Sequence, residues 1–369
     1  MPGARHLPEL DGLRGLAILL VIPHNADHFE AAAGWLRLPA ALAQLGWTGV
    51  QLFFVLSGFL ITRNLIDSRG SPRYYGTFYG RRALRILPLY FLTLAFFLLL
   101  LPRLTVLSPQ ILASYSHQAW FWTFLNNWVW NYGRELYWFP HLWSLAIEEQ
   151  FYLVWPLVVA ALGDRRLSQA CVALTVAAIG ARTALWLAGV SPLAIYKFTF
   201  CRMDALAIGA LAALSVRSPP AVEAIRRHGT AALGAAVALL AGVALTTRNY
   251  DIANPVLGVA GYTLLALAFG LVLLLAACPA SAAAVQALQA LLRWPPLVSV
   301  GRFSFAMYLF HKPLALAWDG SLWPALAPAG AMAPILYVLA VALASYVGGF
   351  LSYHLLEKYA LALKRYLRP

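Results

Sequence analysis

Residues 256–277 read VLGVAGYTLLALAFGLVLLLAA, an apolar run without a single Asp, Glu, Lys or Arg. An α-helix rises about 1.5 Å per residue, so a run of this length matches the roughly 30 Å hydrocarbon core of a bilayer. The run is too long for a barrel strand and lacks the period-two alternation that such a strand shows. It reads as a transmembrane helix. Working outward, nine more segments have the same character: 10–28, 46–66, 84–101, 140–162, 168–190, 198–216, 229–247, 296–317 and 332–356. The expected fold is all-α, a polytopic bundle of about ten membrane spans forming a single domain over residues 1–369.

Composition points the same way. Of 369 residues, 62% are hydrophobic and 11% charged, against roughly 25% charged in a soluble domain. An ordinary soluble enzyme, a disordered chain and a nucleic-acid-binding protein are excluded on that ground. The net charge of +13 belongs to the loops. With a cytoplasmic N-terminus, the inner loops collect most of the cations, among them Arg63, Arg69, Arg73, Arg165, Arg166, Arg226 and Arg227. The outer loops hold few, such as Arg37, Arg103, Arg134 and Arg248. The positive-inside rule then places both termini in the cytoplasm. The chain stops soon after the last span, so no attached soluble domain is expected. Residues 110–138, which contain HQAWFWTFLNNWVWNY, mix Trp, Asn and Tyr and read as an interfacial or re-entrant segment. The three cysteines fall in or beside apolar runs and read as small hydrophobes, not as a disulfide framework.

Ionisable groups at membrane depth are costly and so mark candidate sites. In the first span, LDGLRGLAILLVIPHNADHF, Arg14 lies near the cytoplasmic end and His24 ten residues further on, about 15 Å deeper. An imidazole there can exchange a proton near neutral pH, or it can simply bond a neighbouring helix. In the fourth span His141, Ser144, Glu148 and Tyr152 share one helix face. Glu148 could orient a histidine, act as a base, or pair with an arginine. In the ninth span Ser304, Tyr308 and His311 form a second polar stripe, and His311 beside Lys312 reads as an interfacial cap. Arg202 and Asp204 point to different sides of the sixth span and need separate partners; Asp204 with Arg182 is one such pairing. Arg81, Arg82 and Arg85 crowd the entrance of the third span, where guanidinium forks can fix topology, touch lipid headgroups or grip phosphates. No metal site is expected.

Six fragments in order, LDGLRGLAILLV, VQLFFVLSGFLIT, RRALRILPLYFL, LWSLAIEEQFYLVWPL, RMDALAIGALAAL and FSFAMYLFHKPL, together with YHLLEKY near residue 359, resemble the acyltransferase family 3 of integral membrane acyltransferases. The resemblance covers essentially the whole chain. It implies a multi-pass enzyme of the bacterial-type inner membrane that takes an acyl group, commonly acetyl, from cytoplasmic acyl-CoA as co-substrate. The acceptor is a hydroxyl of a glycan, lipid-linked sugar or glycosylated small molecule. Membrane lipids are the other expected partner, and no nucleic acid is.

The same resemblance implies roles for residues. The family's arginine–histidine motif of the first span falls on Arg14 and His24, its arginine pair on Arg82 and Arg85, and its conserved glutamate on Glu148. Arg82 and Arg85, with Arg81, are expected to hold the CoA phosphates, His24 to deprotonate the acceptor or carry the acyl group, Arg14 to assist donor binding, and Glu148 to set the histidine's tautomer or charge. One departure stands out. The family spacing has ten residues between arginine and histidine; here there are nine, and Asn25 occupies the expected register. At about 100° per residue, eleven steps return to within about 20° of the arginine's face, whereas ten leave an offset near 80°. Pro23 can absorb the difference by loosening the helix. His28, about 40° off that face, is a rival. On residue chemistry alone, a membrane transporter of sugars or lipids is the alternative reading, and a catalytically degenerate family member a third.

Overall fold

In the computed structural model, residues 7–26, 28–29, 34–128, 136–247, 254, 256–280 and 282–367 are described. Among them the long helices are α1 (Pro8–Asn25), α2 (Thr48–Asp67), α3 (Tyr74–Ala95), α4 (Trp143–Ala161), α5 (Asp164–Leu187), α6 (Thr199–Ser215), α7 (Pro219–Thr247), α8 (Tyr262–Ala277), α9 (Pro295–Trp318) and α10 (Ala333–Ser352). No described residue lies in a strand. Each of the ten expected segments is helical. Among the described residues six helical stretches are by themselves long and apolar enough to cross a bilayer, or seven when the bent pair Thr199–Ser215 and Pro219–Val243 is counted as one span. α1 and α9 fall short of that test while carrying Glu9, Asp11 and Arg14, and Arg302 and Lys312, respectively.

Helix boundaries differ from the sequence expectation where apolarity and helicity part company. The third helix starts at Tyr74, ten residues before the expected span. Nothing in YYGTFYGRRA stops a helix, so the backbone runs on beyond the apolar part. Arg82 and Arg85 therefore sit well inside α3 instead of at its entrance. The segment after α3 is a chain of short turns: Pro109–Ser114, Tyr115–His117, Ala119–Trp122 and Asn126–Trp128. Ser108 starts the first of them by accepting a hydrogen bond from the Ile111 N–H at 3.4 Å. Two phenols anchor these turns, Tyr90 donating to the Phe121 carbonyl at 2.8 Å and Tyr115 to that of Phe97 at 2.7 Å. Tyr115 lies outside the long helices, and its burial raises the phenol's pKa, so it serves as a neutral donor. Residues 129–135 of the segment 110–138 lie outside the described residues.

The chain forms two compact units, residues 1–17, 50–70 and 147–301, and residues 18–49, 71–146 and 302–369. In the first, α6 packs against α5 and α8, and α7 against α8. The α2–α6 crossing is made of glycine. A Cβ added at Gly58 would lie 2.0 Å from the Leu206 carbonyl oxygen, and one at Gly209 would lie 2.1 Å from that of Val55. Lipid supplies no hydrophobic drive between helices, so such close backbone approach is a main source of their attraction.

The ionic interior of this unit accounts for two sequence-flagged residues. Arg182 and Asp204, both fully buried, pair at 2.9 Å. Arg182 also donates to the carbonyls of Val259 at 3.0 Å and Cys201 at 2.5 Å, and to the Thr263 hydroxyl, which in turn donates to Asp204. Arg202 points elsewhere, as the two-residue spacing requires. Its guanidinium lies between the rings of Tyr196 and Tyr262, 4.7 and 4.5 Å from their centroids, and donates to Gln51. In the second unit, the chain's end from Tyr353 packs back along α3.

Candidate active site

The second unit gathers three histidines. His24 lies at the last turn of α1, immediately after Pro23. Its seat is a glycine: a Cβ at Gly46, in the turn Leu45–Trp47, would come 2.1 Å from the Leu20 carbonyl oxygen and 2.7 Å from the His24 Cβ. Alanine at position 46 is expected to push the end of α1 aside at a strain cost of about 1–3 kcal/mol, and to lower any activity that depends on the placing of His24 by up to about 100-fold. The check is turnover of a variant that still purifies as a monodisperse species.

The other two are His141 and His311, 5% and 0% exposed, with ring centroids 4.8 Å apart at 69°. The His311 Nδ1 lies 2.8 Å from the Tyr308 carbonyl and 3.2 Å from that of Met307. A carbonyl can only accept, so Nδ1 carries the proton and Nε2 bears the lone pair of the neutral ring. That Nε2 is buried without a hydrogen-bond partner, as are both ring nitrogens of His141. Tyr308 donates to the His141 carbonyl at 2.7 Å, which leaves Ser144 as donor in its 2.6 Å bond to the Tyr308 oxygen. The polar stripes seen on the fourth and ninth spans thus meet.

One cation, Lys312, acts electrostatically on both His141 and His311. The Lys312 ammonium donates to the Asn25 carbonyl at 2.7 Å, where a cation also suits the negative end of the helix dipole. Asn25, which holds the expected histidine register, turns its amide back to the Val21 carbonyl at 3.1 Å. The rival His28 is engaged elsewhere. Its Nε2 lies 2.9 Å from the Asp319 carboxylate, and its ring stacks on Trp323 at 4.0 Å.

A second cluster in the same unit is built on α3. Arg81, Arg82 and Arg85 all act electrostatically on the half-buried Lys364, and Arg85 acts on Glu357 as well. Arg81 donates to the Leu367 carbonyl at 2.9 Å, and Glu357 accepts from Ser352 at 2.8 Å. Three guanidinium forks and an ammonium are a set that suits phosphate oxygens.

Arg14 and Glu148, expected beside His24, belong to the first unit. Arg14 pairs with Asp11 at 3.2 Å on α1. Glu148 accepts from Ser57 at 2.9 Å and from Tyr152 at 2.8 Å, and Tyr152 is also 3.1 Å from the Ser57 oxygen. Among the described residues there is no group of three or more His, Cys, Asp or Glu placed to hold a metal ion.

Comparison with known sequences adds the deciding observation: a profile of the acyltransferase domain, acyltransferase 3, matches residues 7–354. The chain belongs to that family. Among its relatives, YrhL of Bacillus subtilis is 29% identical over 331 residues, covering 84% of this acyltransferase 3 chain and 49% of YrhL. The O-acetyltransferase OatA of Staphylococcus aureus is 28% identical over 337 residues, covering 85% of this chain and 51% of OatA. The peptidoglycan O-acetyltransferase OatA of Listeria monocytogenes is 26% identical, with 84% and 49% covered. This acyltransferase 3 chain thus spans about half the length of the relatives it matches. No solved structure matches it. Family and helices together make it a multi-pass membrane protein.

Sequence reasoning in this acyltransferase 3 chain missed two side chains. Lys364 read only as a topology signal, because its closeness to α3 depends on the chain's end folding back. His311 read as an interfacial cap. The signal for it was the His–Lys pair on the same stripe as Tyr308.

Proposed function

We propose that this chain is a membrane O-acetyltransferase that moves an acetyl group from cytoplasmic acetyl-CoA to a hydroxyl of a glycan beyond the bacterial inner membrane. The observation that carries the reading is that the cation cluster on α3, the His141–His311 pair and His24 belong to one compact unit of a family member. The cations fit the donor: CoA carries several phosphates, and Arg82 and Arg85, with Arg81 and Lys364, offer forks and a point charge to bind them. His24 removes the proton of the attacking hydroxyl. The motif gives Arg14 a part in donor binding and Glu148 a part in setting the histidine's charge state; both roles rest on the family pattern. A glycan acceptor is favoured because the named relatives in Staphylococcus and Listeria are O-acetyltransferases, the latter of peptidoglycan.

The test is a purified protein supplied with acetyl-CoA and peptidoglycan fragments, followed by release of CoA and ester formation. Arg82→Gln and Arg85→Gln are each expected to raise KM for acetyl-CoA about 10-fold or more, since a charge-assisted phosphate contact contributes roughly 1.5–3 kcal/mol, with kcat changed far less. An unchanged KM in both variants would sink the donor-site assignment.

A further inference from the structure

We propose that His311 is a second reacting imidazole, which accepts the acetyl group from acetyl-CoA on Nε2 and passes it on to the acceptor hydroxyl. This rests on the acetyl-CoA reading above and goes beyond it by assigning the acyl group a resting place on the protein.

Three features of the site support it. The tautomer is fixed, because the Tyr308 and Met307 carbonyls hold the Nδ1 proton, and the lone pair sits on Nε2 without rearrangement. That nitrogen is fully buried and makes no hydrogen bond to the protein, a costly arrangement in a native interior and one that leaves its lone pair unused by the fold. Lys312, the next residue, holds its ammonium on the Asn25 carbonyl, and this cation's field favours the oxyanion that forms when a carbonyl is attacked.

The step balances as follows. Nε2 attacks the thioester carbonyl, the C–S bond breaks, and CoA leaves as thiolate, giving an acetyl-imidazolium whose Nδ1 still carries its proton. The acceptor hydroxyl then attacks the acetyl carbon as His24 takes its proton, the C–N bond breaks, and His311 returns neutral. The proton passes from His24 through water to the CoA thiolate. Two imidazoles divide the work, one as carrier and one as base. His24 and His311 belong to the same compact unit, as such a division needs.

A carrier makes the first half-reaction reversible without any acceptor. The detergent-purified full chain, given acetyl-CoA and isotopically labelled CoA alone, should exchange label between the two. His311→Gln should lower this exchange at least about 100-fold while labelled CoA still binds, which also shows that the variant is folded. His24→Ala should lose transfer to peptidoglycan fragments yet keep exchange. Mass spectrometry of the quenched protein should find one acetyl group on the peptide containing His311. Exchange at the wild-type rate in His311→Gln overturns the relay. So does absence of exchange in a wild type that binds CoA, which leaves the donor reading standing. If the wild type binds no CoA, both fall.

Discussion

Replacing His24 with alanine is expected, on the proposed function, to lower acetyl transfer to a glycan hydroxyl by about 10²- to 10⁴-fold, the usual contribution of a positioned general base. The effect should fall on kcat, since the imidazole acts on the proton in flight and not on the bound ground state. The helix should survive the change. His24 occupies its last turn, and the Gly46 seat against the Leu20 carbonyl and the Lys312 bond to the Asn25 carbonyl are both backbone contacts that alanine keeps. Initial rates over a range of acetyl-CoA concentrations, on a variant that purifies in wild-type yield, provide the measurement. Wild-type kcat would remove His24 from the chemistry and return the histidine motif to a packing role.

Asp204→Ala is the second large effect, and it is one of stability. Arg182 and Asp204 are both fully buried. Removing the carboxylate leaves a guanidinium without its counter-charge, and breaking one side of a buried pair costs about 3–5 kcal/mol. It also takes away the acceptor of the Thr263 hydroxyl bond. The variant should accumulate poorly in membranes and lose its cooperative thermal transition in detergent. Restoring shape without charge is the control. Replacing Arg182 by Met together with Asp204 by Leu should recover part of the loss, because a neutral interior pair carries no desolvation debt. A single Asp204→Ala melting at the wild-type temperature would mean that water or lipid headgroups already screen the pair.

Much of this was legible in the residues themselves. The ten apolar runs are helical, and six or seven stretches among the described residues are long and apolar enough to cross a bilayer, where backbone groups must bond within their own segment. The Arg182–Asp204 pairing followed from the cost of burying either charge alone. The placement of Arg82 and Arg85 was harder to read. Hydropathy reports where a helix enters lipid, not where it starts, and α3 begins at Tyr74. The meeting of His141 with His311 was out of reach, since a helical wheel shows which residues share a face but not which face another helix will cover. Lys364 was missed for the same reason, being joined to the arginines only by the fold.

The bond from Lys312 to the terminal carbonyl of α1 bears on the shortened motif. His24 is gauged from the helix's far end, where that tether and the seat at Gly46 fix its height and heading. A ruler read from that end is indifferent to how many rungs lie below, so the residue count back to Arg14 does not enter into the placing of the imidazole.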